Sequence, residues 1–159
     1  MSISITSGQV ITGGAQTGLT TPTYTVTTDV APTTYGKQYA VTAIGGTQAN
    51  VSLHSVSSPF TLTVVRPSSM KALPPVNPMT GLCMGPVPKN ETRIIIRKGA
   101  GVLTNNPVQL GSVTLSIKVP AGADAYNSGN EIRAMLSLLV GVLNNQSSGI
   151  GDLVTTGII

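Results

Sequence analysis

The segment Ser112-Val113-Thr114-Leu115-Ser116-Ile117-Lys118-Val119 constrains this chain more than any other. Successive side chains of a strand point to opposite faces. Val113, Leu115, Ile117 and Val119 therefore share one face, and Ser112, Thr114, Ser116 and Lys118 share the other. A helix, whose neighbours recur every three and four residues, cannot sort side chains in this way. An antiparallel sheet with one buried and one polar face does.

The same period runs through the first 65 residues. Ser2–Thr6 and Gln9–Thr12, joined at Ser7-Gly8, predict an N-terminal hairpin within residues 1–14. Thr23–Thr27, Gln38–Ile44, Asn50–Val56 and Phe60–Arg66 predict further strands. Their β-branched residues suit a pleated, half-buried surface. Thr92–Arg97 is another strand, with Arg93, Ile95 and Arg97 on one face and Ile94 and Ile96 on the other. A Gly- and Asn-rich loop, Gly99–Gly111, leads into the final strand.

Residues 67–91 break the pattern. Pro67, Pro74, Pro75, Pro78, Pro86 and Pro88 exclude a central strand. A connection this long is unusual inside a domain and predicts a surface excursion that contacts something else.

Helical spacing appears only near the end. Ser128-Gly129-Asn130-Glu131 fits a capping box. Ile132, Met135, Leu136, Leu139, Val140 and Leu143 then form an apolar stripe, with Asn144-Asn145 as its stop. Ser147–Val154 predicts a short second helix, followed by the apolar tail Gly157-Ile158-Ile159. The expected class is α+β, in one domain spanning 1–159. It comprises an N-terminal β-hairpin (1–14), an antiparallel β-sheet of about five strands (23–119, interrupted by the Pro-rich loop 67–91), and one or two C-terminal α-helices (124–159). One helix cannot cover a wide sheet, so it covers part of it or reaches over a partner's sheet.

Composition sharpens this picture. Charged residues are 9% of the chain, against roughly 25% in an average soluble domain. Surface charge keeps free monomers soluble, so a chain this poor in it is expected in an assembly. The net charge of +4 permits a nucleic-acid partner without demanding one. A lone cysteine, Cys83, excludes an internal disulfide framework. The N-terminal residues lack the basic and apolar regions of a signal peptide, and no apolar run is long enough for a membrane helix. The expectation is a cytoplasmic product with no membrane partner.

No catalytic centre assembles from these residues. His54, the only histidine, lies in an expected strand with no acidic neighbour in sequence. Cys83 as a nucleophile would need His54 brought to it as a base. Asp29, Glu91, Asp124, Glu131 and Asp152 are scattered without metal-ligand spacing. Gly99-Ala100-Gly101 lacks the ending of a phosphate loop. The expectation is a non-enzyme with no catalytic residues, metal, cofactor or small-molecule substrate. The cations are more telling. If the strands pair, Arg93, Arg97 and Lys118 stand among Thr and Ser hydroxyls, a combination that suits phosphates and base edges of RNA. A merely solvated sheet face would look the same. The shortage of aromatics argues against a stacking platform.

The C-terminal third resembles the coat proteins of single-stranded RNA bacteriophages, the levivirus group. The likeness lies in Val113-Thr114-Leu115-Ser116-Ile117-Lys118-Val119-Pro120, in Glu131-Ile132-Arg133-Ala134-Met135-Leu136, and in Gly141-Val142-Leu143-Asn144 leading to Gly157-Ile158-Ile159. The order of elements agrees over nearly the whole chain. The resemblance implies a homodimer with a continuous antiparallel sheet, each subunit's helices packing on the partner subunit. Dimers would build an icosahedral shell in the bacterial host cytoplasm, giving a virion component. The inner sheet face would bind single-stranded genomic RNA, including an RNA hairpin that acts as a translational operator. Gly99–Gly111 would make the contacts around the symmetry axes. Carried over by strand position, the RNA-binding residues would be Thr61, Thr63, Arg93, Arg97, Ser112, Thr114, Ser116 and Lys118. A one-residue slip would exchange the faces of the earlier strands. The long loop 67–91 departs from the family pattern.

Two other readings compete. A β-rich adhesion or tail-fibre-type module without RNA would explain the Thr-rich strands, but would not require the C-terminal helix. A small hydrolase using Cys83 and His54 would need a substrate that nothing in the sequence suggests.

Overall fold

A computed structural model describes residues 3–159. Six strands form one antiparallel sheet in simple sequence order: β1 (Gln9–Thr12), β2 (Thr20–Asp29), β3 (Gly36–Thr47), β4 (Phe60–Val65), β5 (Lys89–Ala100) and β6 (Gln109–Pro120). A 3-10 turn, Tyr126–Gly129, leads to α1 (Asn130–Asn145) and then α2 (Ser147–Thr156). An antiparallel sheet followed by C-terminal helices is the expected class, with six strands rather than about five. None of the helices among the described residues is long and apolar enough to cross a membrane.

The sheet sorts its side chains as period two requires. On the apolar face, Val26, Tyr39 and Val41 are buried, with Ile5, Ile11, Tyr24, Ile44, Phe60 and Leu62 packed around them. Tyr24 meets Phe60 edge-on at 5.7 Å between ring centres. The other buried apolar residues among those described are Pro22, Ala40 and Ala121, a thin core for a chain of this length. Neither α1 nor α2 buries a side chain. Met135, Leu138, Val140, Val142 and Leu143 are exposed on α1. Leu136 and Leu139 face Leu115 and Ile117 of β6 across an open cleft. Hydrogen bonds tie α2 to the β1–β2 loop: Gln16 Nε2 donates to the Ser147 carbonyl (2.8 Å), the Ser147 hydroxyl to the Ala15 carbonyl (2.7 Å), and the Thr17 hydroxyl to Asp152 (3.1 Å).

Four local expectations are corrected. Residues 3–6 form no strand; Met1 and Ser2 of the expected hairpin lie outside the described residues. The chain does turn at Ser7-Gly8, but β1 pairs with β2, with Ile11 opposite Tyr24. Ile5 is instead drawn onto the apolar cluster, where burial outweighs a short two-strand ladder.

Asn50–Val56 is an irregular segment, not a strand. Within β3, β4 pairs only with Gly36–Ala40, and beyond them 50–56 meets β3 at a single backbone bond rather than in a ladder. The segment is held instead by the His54 amide donating to the Val41 carbonyl (3.1 Å) and the Phe60 amide donating to His54 Nδ1 (3.0 Å).

The Ser128–Glu131 capping box does not form. Ser128 and Gly129 are left-handed, and neither contributes a side-chain cap. An N-cap residue needs an extended backbone to set its oxygen over the first helical amides. β5 and β6 also run further than local propensity suggests. They pair continuously from Lys89–Pro120 to Ala100–Gln109, which shortens the Pro-rich loop to 67–88 and the next loop to 101–108. Twelve-residue ladders override weak strand formers such as Gly99 and Gly111.

Candidate nucleic-acid interface

The register decides which side chains stand together. Residues directly opposite across an antiparallel pair share a face. Thr61 of β4 pairs with Arg97 of β5, which pairs with Ser112 of β6. The next row is Thr63, Ile95 and Thr114, followed by Val65, Arg93 and Ser116, and then Glu91 with Lys118. All eight residues expected from the sequence therefore stand on one face, in adjacent rows.

Their accessibility differs. Arg93, Ser112, Thr114, Ser116 and Lys118 are exposed and Arg97 is half-buried, whereas Thr61 and Thr63 are buried. The two threonines are short side chains on a strand inside the sheet, and longer neighbours rise around them. The Thr63 hydroxyl donates to Gln38 Oε1 at 3.0 Å, and Gln38 Nε2 donates to Asp29 at 2.6 Å. This chain crosses β4, β3 and β2 on the same face, because Thr63 pairs with Gln38 and Gln38 with Asp29. The face is thus a rim of cations and hydroxyls along β5 and β6, with buried Thr61 and Thr63 beside it and the Thr63 hydroxyl already bonded within the sheet.

The face also holds two carboxylates. Glu91 accepts from the Ser116 hydroxyl at 2.7 Å and stands 4.0 Å from Arg93 Nε. The Ser116 bond, then Lys118 and Arg93, hold its carboxyl below the usual glutamate range. Asp29 is likewise held low, chiefly by Gln38 and then by the Val30 amide. Sequence reasoning missed both, although Glu91-Arg93-Ile95-Arg97 alternates visibly. Gln38 and Asp29 join the site only through strand pairing.

The opposite face carries an open apolar groove lined by Ile11, Tyr24, Val26, Val41, Phe60, Leu62 and Ile96. At its edge Lys98 Nζ sits 5.1 Å from the Phe60 ring centre and donates to Ser52 Oγ at 2.7 Å. Burial lowers its pKa. His54 and Cys83 are not brought into a catalytic arrangement: His54 Nδ1 accepts from the Phe60 amide, and Cys83 is exposed in the Pro-rich loop. The described residues contain no cluster of three or more metal-ligating side chains.

No protein-family model matches the chain, and no curated protein does. Solved structures do. The virus-like particle of bacteriophage ESE020 is 47% identical, covers 99% of this chain and 100% of its own, and superposes with a TM-score of 0.91. The chain belongs to the coat proteins of single-stranded RNA bacteriophages, the levivirus group. The virus-like particle of Beihai levi-like virus 32 is also similar, at 16% identity and a TM-score of 0.44 over 86% of this chain and 88% of its own. A coat protein is a structural subunit that self-assembles into a shell and becomes part of the virion. The adhesion-module and hydrolase readings give way to this assignment. In a coat protein, both the thin core of the single chain and its shortage of charge have a physical reason: much of the surface is covered by other copies.

Proposed function

We propose that this coat protein, as a single domain, forms a homodimer that binds single-stranded RNA on the polar sheet face and encloses it in an icosahedral shell. Assembly takes place in the bacterial host cytoplasm, and a hairpin in the RNA serves as translational operator and packaging signal. One observation carries the RNA reading. Arg93, Arg97 and Lys118 stand with Ser112, Thr114 and Ser116 on one face of β5 and β6, where the protein makes phosphate-binding charge and hydroxyl donors available together.

The dimer reading rests on surfaces that one chain leaves incomplete. β6 ends the sheet, so its outer backbone groups are free to pair with a second β6. Met135, Val140 and Leu143 of the α1 stripe are exposed, and the groove between Ile11 and Ile96 is open. Burying one against the other, across two copies, gives each what it lacks. Loop 101–108, with Val102 and Leu103 exposed, makes the contacts around the symmetry axes.

The experiment is expression of the full chain in bacteria, followed by electron microscopy and extraction of nucleic acid from purified particles. RNA-filled shells that dissociate to dimers are expected. Shells devoid of RNA would refute the RNA reading, and dissociation directly to monomers would refute the dimer.

A further inference from the structure

We propose that the 67–88 excursion is a preorganised docking arm that seats against a neighbouring copy of this chain in the shell. The proposal rests on the shell reading and adds a contact to it.

The excursion is built, not slack. At its base, Asn90 is buried, accepting from the Lys71 amide (2.8 Å) and donating to the Lys71 carbonyl (3.2 Å). Its distal part is a small hairpin. Val76 bridges Cys83, the Asn77 amide donates to the Leu82 carbonyl (2.8 Å), and the Met84 amide donates to the Pro75 carbonyl (2.9 Å). Asn77 Oδ1 accepts from the Met79 amide (2.9 Å), and Gly81 closes the tip at φ 71°. Pro74-Pro75 and Pro78 restrict the chain before and within the tip.

All of this order presents apolar side chains to solvent. Met79 is 93% exposed, Met84 70%, Leu82 69% and Met70 63%, with Leu73 and Val76 near half. Six exposed apolar side chains on one excursion are more than the single residues normally scattered over a surface. The one charged residue between 67 and 88 is Lys71, at the base, so the tip carries no charge that would oppose an apolar seat. Its stiffness lowers the ordering cost of docking, and methionine side chains adapt to an irregular partner surface.

The occupant is a second copy because the arm belongs to a particle-forming design. The superposition on the ESE020 particle subunit spans 99% of this chain at a TM-score of 0.91, which leaves little room for an arm present in one chain and absent from the other.

The test uses the full chain carrying Met79→Glu and Leu82→Glu, expressed beside the unchanged protein. Both substitutions lie in solvent at the tip, away from the sheet. The variant is expected to keep its circular dichroism and its dimer size while particle yield falls at least tenfold. Variant particles with normal yield and normal thermal disassembly would overturn the docking arm. Failure of the unchanged protein to form particles would overturn the shell reading first, and the arm with it. A second measurement needs no variant. Cys83 lies between Leu82 and Met84, so in intact particles its alkylation by iodoacetamide should slow at least tenfold relative to dissociated dimers. Equal rates would refute the contact.

Discussion

Replacing Arg93 and Lys118 together by glutamine tests the polar face most directly. Three cations stand on β5 and β6 of that face, at Arg93, Arg97 and Lys118. Each phosphate contact to a single strand contributes about 0.7 to the slope of log affinity against log salt. The three together should contribute a slope of about 2 per subunit, and the double variant should retain about 0.7. Between 50 and 200 mM salt, the unchanged protein should lose about 18-fold in affinity through these contacts and the variant about 2.6-fold. Both residues are solvent-exposed, so the fold should survive. The assay is fluorescence anisotropy of a labelled RNA on dissociated dimers across that salt range, with circular dichroism as a check on folding. A folded variant whose slope matches the unchanged protein would refute the assignment of these two cations to RNA. Glu91→Gln supplies the opposite sign: it removes an anion 4.0 Å from Arg93, so RNA should bind more tightly at every salt concentration.

Ser116→Ala removes the main cause of the low Glu91 pKa, so the Glu91 titration, followed by NMR, should move up toward the ordinary glutamate range; an unmoved titration would refute the bond. Because the folded pKa is depressed, the stabilisation from ionised Glu91 is present above its unfolded pKa and fades as pH falls through the folded one. RNA affinity should rise over the same acidification, as the face loses an anion. Gly46 sits at φ 75°, where an added Cβ would meet the carbonyl oxygens of Thr20 and Thr21. Gly46→Ala should therefore destabilise the fold by more than about 1 kcal/mol, and an unchanged midpoint in a denaturant titration would contradict this. Val140→Asp and Leu143→Asp place charge on exposed positions of the α1 stripe, so light scattering should find neither dimers nor particles, and normal particles would sink the proposed helix packing.

The strands that the sequence made legible are those with neighbours to pair with. β6 alternates without a break, and the structure keeps its sorting of Val113, Leu115 and Ile117 from Ser112, Thr114 and Ser116. Asn50–Val56 carries much the same local pattern yet forms no strand, because a strand needs a ladder and this segment makes one backbone bond to β3, at Val41. Ser128–Glu131 has the composition of a capping box, but Asn127, Ser128 and Gly129 all have positive φ. Local spacing reports which residues can share a face. It does not report whether the backbone arrives in the conformation that uses them.

The candidate site divides in the same way. That Arg93, Ile95 and Arg97 share a face follows from their spacing alone. That they lie in rows with Thr61, Thr63, Ser112, Thr114 and Ser116 depends on register, which a slip of one residue reverses. Burial of the two threonines and the Thr63–Gln38–Asp29 chain required three strands to be side by side. The sequence by itself determined the two-faced sheet, the helical C-terminus and the poverty of charge, because these are properties of periodicity and composition. Only the tertiary structure decided the partners of each strand, the stiff arm at 67–88 and the surfaces left uncovered, because these depend on contacts between residues far apart in the chain.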